Sequence, residues 1–178
     1  MKNIDQIVNT LTLDEKVSLL SGFNSWYTNK IEKKDIPSIK MSDGPNGVRG
    51  DSTSGKSSAC FPCAISIGSS WDLELIKNIG IALGEEAQAK DVDVLLGPTI
   101  NIHRHPLGGR HFESFSEDPF LTGKIAINYV QGVQSKNVAA CLKHFVGNDT
   151  EYERHAISPN IDAQTLREIY LLPFEMGV

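Results

Sequence analysis

The sequence predicts an α/β fold in which short buried strands alternate with long amphipathic helices. Apolar residues recur at helical spacing between residues 72 and 90, and again after residue 118. Short apolar runs such as 92–96, rich in valine and leucine, lie between the helical segments and end at glycine or proline. Strands that alternate with helices of this length form parallel βαβ units, and we count about four strand–helix steps.

Two short helices are predicted before the first strand. Apolar residues from Ile4 to Leu11 fall on one face of a helix. Thr12 and Glu15 form a capping-box pattern that begins a second helix, and Gly22 is placed to end it. These helices are expected to close the bottom of the fold.

The remaining helices carry clear start signals. Asp118 is a suitable N-cap, and Pro119 occupies the first helical position after it. A final helix begins after Asp162, and Pro173 is expected to kink it. The strands are predicted at 38–41, 64–67, 92–96 and 138–145.

Composition excludes several classes of protein. The net charge is −5, and no basic face of the kind that binds nucleic acid is present. The short run Lys30–Lys34 is interrupted by Ile31 and Glu32, which indicates a solvated helix end. No stretch approaches the ~18 apolar residues of a membrane span, and the first residues lack a secretory signal. We therefore expect a soluble, cytoplasmic protein that binds neither nucleic acid nor a membrane.

The chain has three cysteines, an odd number that argues against a disulfide framework. Cys60 and Cys63 form a C-x-x-C motif, which in redox proteins stands at the start of a helix. Because residues 64–67 are predicted to form a strand, we interpret both cysteines as ordinary thiols. A second ligand pair for zinc is absent from the sequence.

Polar and charged side chains concentrate directly after three of the predicted strands. In a (β/α) barrel these strand ends form the ligand face, so we expect one shared pocket. Carboxylate acceptors beside arginine and lysine donors suit a ligand rich in hydroxyl groups. The residues are Asp43 and Arg49; Asn101, His103, Arg104, His105, Arg110, His111 and Glu113; and Lys143, His144, Asn148, Asp149, Glu151 and Arg154.

Some of these residues have structural alternatives. The carboxylate of Asp43 is also suited to bracing the turn that follows it. His103 and His105 are two residues apart beside a proline, without an acidic partner at ligand spacing, so neither a metal nor another cofactor is expected. A buried Lys143 is costly unless paired. Strict strand alternation would point Lys143 and His144 in opposite directions, so contact of both with one ligand requires an irregular backbone.

Three long motifs, in the same order, resemble those of family-three glycoside hydrolases of the β-glucosidase type. They are Asp-Gly-Pro-Asn-Gly-Val-Arg at 43–49, the long segment 96–119, and the segment 143–154 that begins Lys-His-Phe-Val-Gly-Asn-Asp. Residues 166–174 are similar to the helix that follows. The resemblance implies that residues 1–178 are the N-terminal part of the barrel domain, an incomplete TIM-like (β/α) barrel.

The resemblance also implies roles for individual residues. Asp43 would accept hydrogen bonds from sugar hydroxyls far from the reacting carbon, while Arg49 and Arg154 would line or brace the same subsite. Arg110, Lys143 and His144 would donate to ring hydroxyls of the non-reducing glucose. The expected substrate is a β-glucoside or oligosaccharide.

The family's reaction is retaining hydrolysis by two carboxylates ~5–5.5 Å apart. The family nucleophile lies in a Ser-Asp-Trp-like segment, which this sequence lacks, and the acid/base comes from a later domain. Asp43 stands in Ser-Asp-Gly, the binding motif. The resemblance therefore implies that neither catalytic carboxylate is present. We expect a truncated or fragmentary β-glucosidase, inactive alone, that pairs with the missing C-terminal part or with itself through exposed sheet edges.

Two other functions fit part of the pattern. A non-catalytic sugar-binding half-barrel would bind glucose as an oligomer without hydrolysing glycosides. A different βα enzyme would use Arg110, Lys143 and His144 to bind phosphate. Barrel phosphate sites use glycine-rich late loops and helix N-termini, and Asp43 would repel the anion, so this second alternative is disfavoured.

Overall fold

The structure, a computed structural model, describes residues 4–50 and 56–178. The chain divides into two units, Met1–Met41 and Ser42–Val178. Within both described ranges, none of the helices combines the length and hydropathy needed to cross a membrane.

The first unit contains two short helices, α1 (Ile4–Thr10) and α2 (Leu13–Leu19). The predicted capping box is confirmed, because the Thr12 hydroxyl accepts the Glu15 N–H and the Glu15 carboxylate accepts the Thr12 N–H. The basic run contains only a single 3₁₀ turn, Glu32–Lys34, and it is solvated as expected.

The second unit is built on a small sheet of three strands in the order β1, β2, β3. They are β1 (Met41–Asp43), β2 (Val94–Leu96) and β3 (Ala139–Ala140), and β2 pairs with β3 in parallel. The predicted strand 138–145 is therefore too long. Pro98 has no N–H to continue the ladder, and beyond it only a single parallel bridge joins Thr99 to Lys143.

Two long helices cover this sheet as predicted, α4 (Leu73–Ala89) and α5 (Pro119–Gln134). Each begins at an aspartate whose carboxylate accepts backbone N–H groups of the first turn, Asp72 for α4 and Asp118 for α5. A side chain at Gly132 would lie 2.3 Å from the Lys77 carbonyl oxygen, so the two helices cross in close contact. The α/β class is therefore confirmed.

The predicted strand 64–67 is wrong, because these residues form a short helix, α3 (Ala64–Gly68). Its buried residues, Ala64, Ile67 and Gly68, follow helical spacing, but so short an apolar run does not distinguish helix from strand. Cys63 is its N-cap residue, so the C-x-x-C motif does precede a helix, and the strand no longer argues against a redox motif. Cys60 and Cys63 are free, exposed thiols.

The last segment is helical but not continuous. Asp162 caps α6 (Ala163–Thr165), a π-helical turn covers Leu166–Tyr170, and α7 (Leu172–Gly177) follows. Pro173 lies in the first turn of α7, where the missing N–H costs nothing, so it begins a helix instead of kinking one.

Candidate functional site

Asp43 and Lys143 meet at one end of the sheet, although β2 lies between β1 and β3. Asp43 ends β1, Lys143 lies just after β3, and 2.9 Å separates Lys143 Nζ from Asp43 Oδ1. The turn after β1 is closed by the Asp43 carbonyl, which accepts the Arg49 N–H, so the carboxylate is not needed to brace it. The Lys143 side chain is 17% exposed, and the ion pair offsets the cost of burying its charge.

Arg110 is held by a second carboxylate, that of Glu113. Arg110 Nε lies 2.6 Å from Glu113 Oε1, and the buried Thr99 hydroxyl donates to Glu113 Oε2 at 3.1 Å. Both charged side chains are largely buried. Glu113 thus organises the loop by fixing the direction of Arg110.

His144 lies between Arg110 and Asn101. The buried Asn101 Oδ1 is 3.0 Å from both the backbone nitrogen and Nδ1 of His144, and an Arg110 terminal nitrogen is 2.8 Å from His144 Nε2. The peptide bond between Lys143 and His144 is cis, and both residues take part in the cluster. Asn101 was predicted to lie near the pocket, but no role for it could be predicted from the sequence.

Burial lowers the pKa of His144 to about 4, and the positive charges of Arg110 and Lys143 act in the same direction. The carboxylates of Glu113 and Asp43 oppose this shift without cancelling it. His144 is therefore neutral at physiological pH.

We expect His144 to make the free energy of unfolding depend on pH between 6.5, its ordinary pKa, and about 4. In this window the unfolded chain binds a proton that the folded chain does not bind. The free energy of unfolding therefore falls as the pH is lowered through the window. Urea denaturation at several pH values is expected to show a shallower dependence in His144→Gln, while the exposed control His155→Gln keeps the native slope. Equal slopes in all three proteins would contradict the assignment.

The predicted arginines outside this cluster differ in their placement. Arg154 is exposed and pairs with Glu151, whose carboxylate also lies 3.9 Å from Arg110 Nε. Arg154 is thus linked to the cluster through Glu151. Arg49 is exposed, and among the described residues its side chain forms no hydrogen bond or ion pair with the others.

An open cavity of about 350 Å³ has Asp43 and Lys143 in its wall. A cavity of about 590 Å³ in the first unit contains no predicted site residue, so its size does not make it the functional pocket. The wall of the smaller cavity consists of Asp43, Gly44, Pro45, Asn46, Gly47, Ala59, Cys60, Phe112, Glu113 and Lys143.

The other histidines have partners of their own. His103 Nε2 lies 2.9 Å from the Ser114 carbonyl oxygen, and its ring stacks on His111. His105 Nδ1 accepts the Leu107 N–H. Within residues 4–50 and 56–178, no three histidine, cysteine or acidic side chains are arranged to hold a metal ion.

A buried ion pair on α4 holds the loop that follows Asp43. The Glu86 carboxylate accepts the N–H groups of Val48 and Ala59, both at 2.8 Å, and lies 3.0 Å from Lys90 Nζ. Lys90 also donates to the Val48 carbonyl and to the Ser58 hydroxyl. Burial opposes the charge of Glu86, but these hydrogen bonds outweigh it, so its pKa is lowered. The only signal of this pair in the sequence is its i, i+4 spacing, so the pair was not predicted.

A second anchor of the same loop comes from α5. The buried Tyr129 hydroxyl donates to the Pro45 carbonyl at 2.9 Å. Burial raises the pKa of Tyr129, which keeps the phenol protonated as a donor.

The fold and the cluster together define an α/β protein in which acidic, basic and histidine side chains meet where its strands end. The chain belongs to glycosyl hydrolase family 3, because residues 2–178 match that family's N-terminal domain.

Known relatives agree with this membership. The chain is 54% identical over 177 residues to a β-glucosidase of Rhizobium radiobacter, covering 98% of this chain and 22% of the relative. It is 45% identical to the Kluyveromyces marxianus β-glucosidase solved with glucose, with a TM-score of 0.94, covering 98% and 21%. For Thermotoga neapolitana β-glucosidase 3B with glucose the identity is 39% and the TM-score 0.88, covering 98% and 27%. The chain therefore spans about a fifth of the length of the curated relatives it matches.

Proposed function

We propose that residues 1–178 supply the glucose-binding subsite of a β-glucosidase, an enzyme that hydrolyses terminal β-D-glucosyl residues with retention of configuration. The observation that carries this proposal is the Asp43–Lys143 contact, which joins residues 100 positions apart at the ends of two strands. Relatives with about half of their aligned residues identical bear the name β-glucosidase.

The chemistry of the cluster suits a sugar. A carboxylate oxygen accepts hydrogen bonds from two neighbouring hydroxyls, and an ammonium or guanidinium donates to hydroxyl oxygens from other sides. Asp43, Lys143 and Arg110 provide these groups at one edge of the sheet, and Glu151 brings Arg154 near them. Arg49 is retained as a residue that braces the subsite from its exposed position, as the resemblance implies.

We propose that the fold is the N-terminal part of a (β/α) barrel. In support, β2 and β3 are parallel, they are joined through a helix, and the polar cluster follows the carboxyl ends of the strands. The described residues would then contribute about three strand–helix steps of the barrel domain instead of four, because the predicted strand 64–67 is a helix.

The catalytic carboxylates are proposed to come from outside this sequence. Retaining hydrolysis needs a nucleophile and an acid/base ~5–5.5 Å apart. The Ser-Asp-Trp segment that the resemblance associates with the nucleophile does not occur in these residues. The isolated 178-residue chain should therefore bind the sugar without hydrolysing a glucoside.

The test is a chimera in which these residues replace the matching segment of the Rhizobium radiobacter β-glucosidase. We expect the chimera to hydrolyse an aryl β-glucoside and Lys143→Ala to lower kcat/KM at least about tenfold, as for loss of a charge-assisted hydrogen bond. Lys136→Ala, which breaks an exposed pair with Glu85, is the matched control and should leave the rate unchanged.

Two outcomes would contradict the proposal in different ways. A folded chimera without activity would refute the assignment of the subsite. Turnover by the isolated chain that disappears in Lys143→Ala would show that it contains, or gains by oligomerisation, its own catalytic carboxylate. Glucose binding by a defined oligomer, together with an inactive chimera, would favour the non-catalytic sugar-binding module.

A further inference from the structure

We propose that Asn101 is a positioning residue that holds His144 in the neutral tautomer with its proton on Nδ1. His144 then presents Nε2 to the ligand as a hydrogen-bond acceptor. The tautomer follows from contacts within this chain, and only its meaning for a sugar rests on the proposed function.

The orientation of the Asn101 side chain is fixed by the backbone of His144. The backbone N–H of His144 can only donate, so the Asn101 atom 3.0 Å away must be the oxygen, Oδ1. The amide nitrogen Nδ2 then faces the His144 carbonyl oxygen at 3.5 Å. In the reverse orientation the Asn101 amide nitrogen would face the His144 backbone N–H, which places two donors together. The Asn101 amide oxygen would face the His144 carbonyl oxygen, which places two acceptors together.

This orientation determines where the imidazole proton lies. Asn101 Oδ1 also lies 3.0 Å from His144 Nδ1, and an amide oxygen can only accept. Nδ1 must therefore carry the hydrogen. Since the ring is neutral, Nε2 has none and is an acceptor.

Arg110 reinforces this state without occupying the outward lone pair of Nε2. One terminal nitrogen of Arg110 lies 2.8 Å from Nε2 and 3.4 Å from Nδ1. An atom along the outward lone pair of Nε2 would be much further from Nδ1 than from Nε2. The guanidinium nitrogen therefore lies over the ring face, where its charge opposes a second ring proton.

The two adjacent residues consequently offer opposite hydrogen-bonding groups. Lys143 can only donate, and His144 Nε2 can only accept. A sugar hydroxyl donates and accepts, so adjacent hydroxyls satisfy both residues. The sequence resemblance assigned a donor role to His144, whereas the Asn101 contact points to an acceptor that selects for a hydroxyl hydrogen.

His103 provides an internal reference with the opposite tautomer. Its Nε2 lies 2.9 Å from the Ser114 carbonyl oxygen, which can only accept, so Nε2 must carry the hydrogen. One two-bond proton–nitrogen correlation spectrum of the 178-residue chain, labelled with ¹⁵N-histidine at neutral pH, reports both tautomers. Signals are assigned with His144→Gln and His103→Gln.

We expect the Nδ1–H pattern for His144 and the Nε2–H pattern for His103. Asn101→Asp keeps an acceptor at Nδ1 and should preserve the His144 pattern, whereas Asn101→Leu should shift it toward Nε2–H. An unchanged His103 signal shows that each variant is folded. The proposal is overturned if native His144 shows the pattern of His103, or if folded Asn101→Leu leaves the His144 pattern unchanged.

If Asn101→Leu does not fold, Asn101→Asp decides the question through the His144 pKa. The charged groups facing the ring are Asp43, Glu113, Arg110 and Lys143, and all of them stay in place. A new carboxylate at Nδ1 should raise the pKa of His144 by at least about one unit. An unshifted pKa would refute the contact.

Glucose and its monofluorinated derivatives are then titrated into the same sample. Fluorine cannot donate a hydrogen bond, so one derivative should bind at least about tenfold more weakly than glucose, and that difference should disappear in His144→Phe, whose ring has no acceptor nitrogen. If none of the derivatives behaves in this way, the acceptor role of His144 is refuted. Failure of glucose itself to bind would refute the proposed function and leave the tautomer result intact.

Discussion

Replacing Glu86 with alanine is expected to lower the free energy of unfolding by about 3–5 kcal/mol, as for other buried ion pairs that lose one partner. The Lys90 side chain is only 4% exposed, so its ammonium would lose a buried carboxylate. The N–H groups of Val48 and Ala59 would lose their acceptor at the same time. Denaturation by urea, followed by circular dichroism, measures the change.

The neighbouring residue Glu85 offers a matched control. Glu85 pairs with Lys136 on the surface, so Glu85→Ala should change the free energy of unfolding by less than about 1 kcal/mol. Adding Lys90→Met to Glu86→Ala should recover part of the loss, because the ammonium buried beside the missing carboxylate is then removed as well. If Glu86→Ala were no more destabilising than Glu85→Ala, the ion pair would not hold this loop.

Replacing Asp43 with asparagine is expected to weaken glucose binding by about 10- to 100-fold. The substitution removes a charged acceptor, and hydrogen bonds to charged groups contribute about 1.5–3 kcal/mol each. It also removes the carboxylate that compensates the ammonium of Lys143. The dissociation constant is measured by titrating glucose into the isolated chain and following the histidine signals.

Asp14→Asn is the control for the change in net charge, because Asp14 is exposed on α2. It should bind glucose with the native affinity. Equal affinities of the two variants would exclude Asp43 from the subsite.

Much of the second unit could be predicted because its signals are local. Both α4 and α5 combine an aspartate N-cap with long apolar periodicity, and those features do not depend on distant residues. The run 64–67 carries too few residues to reveal its period, and α3 was missed for that reason. The length of β3 depends on its neighbour, because Pro98 on the adjacent segment ends the ladder.

The same distinction applies to the site. The rule that strand ends share one face predicts that four residues lie close together: Asp43, Arg110, Lys143 and His144. In the structure, Asp43 contacts Lys143 and Arg110 contacts His144. The atoms that fix their directions could not be found in this way. The contact of Asn101 with His144 joins residues 43 positions apart in the sequence, so it depends on the tertiary fold.

The two anchors of the loop after Asp43 have a thermodynamic consequence. Glu86 from α4 and Tyr129 from α5 fix this loop before any ligand arrives. Residues 44–50 then have little conformational entropy left to lose on binding, because their ordering has already occurred during folding. Affinity and global stability are consequently coupled quantities. A substitution in the helix layer, far from any hydroxyl, can weaken recognition by loosening the loop, and a saturating sugar raises the melting temperature in return.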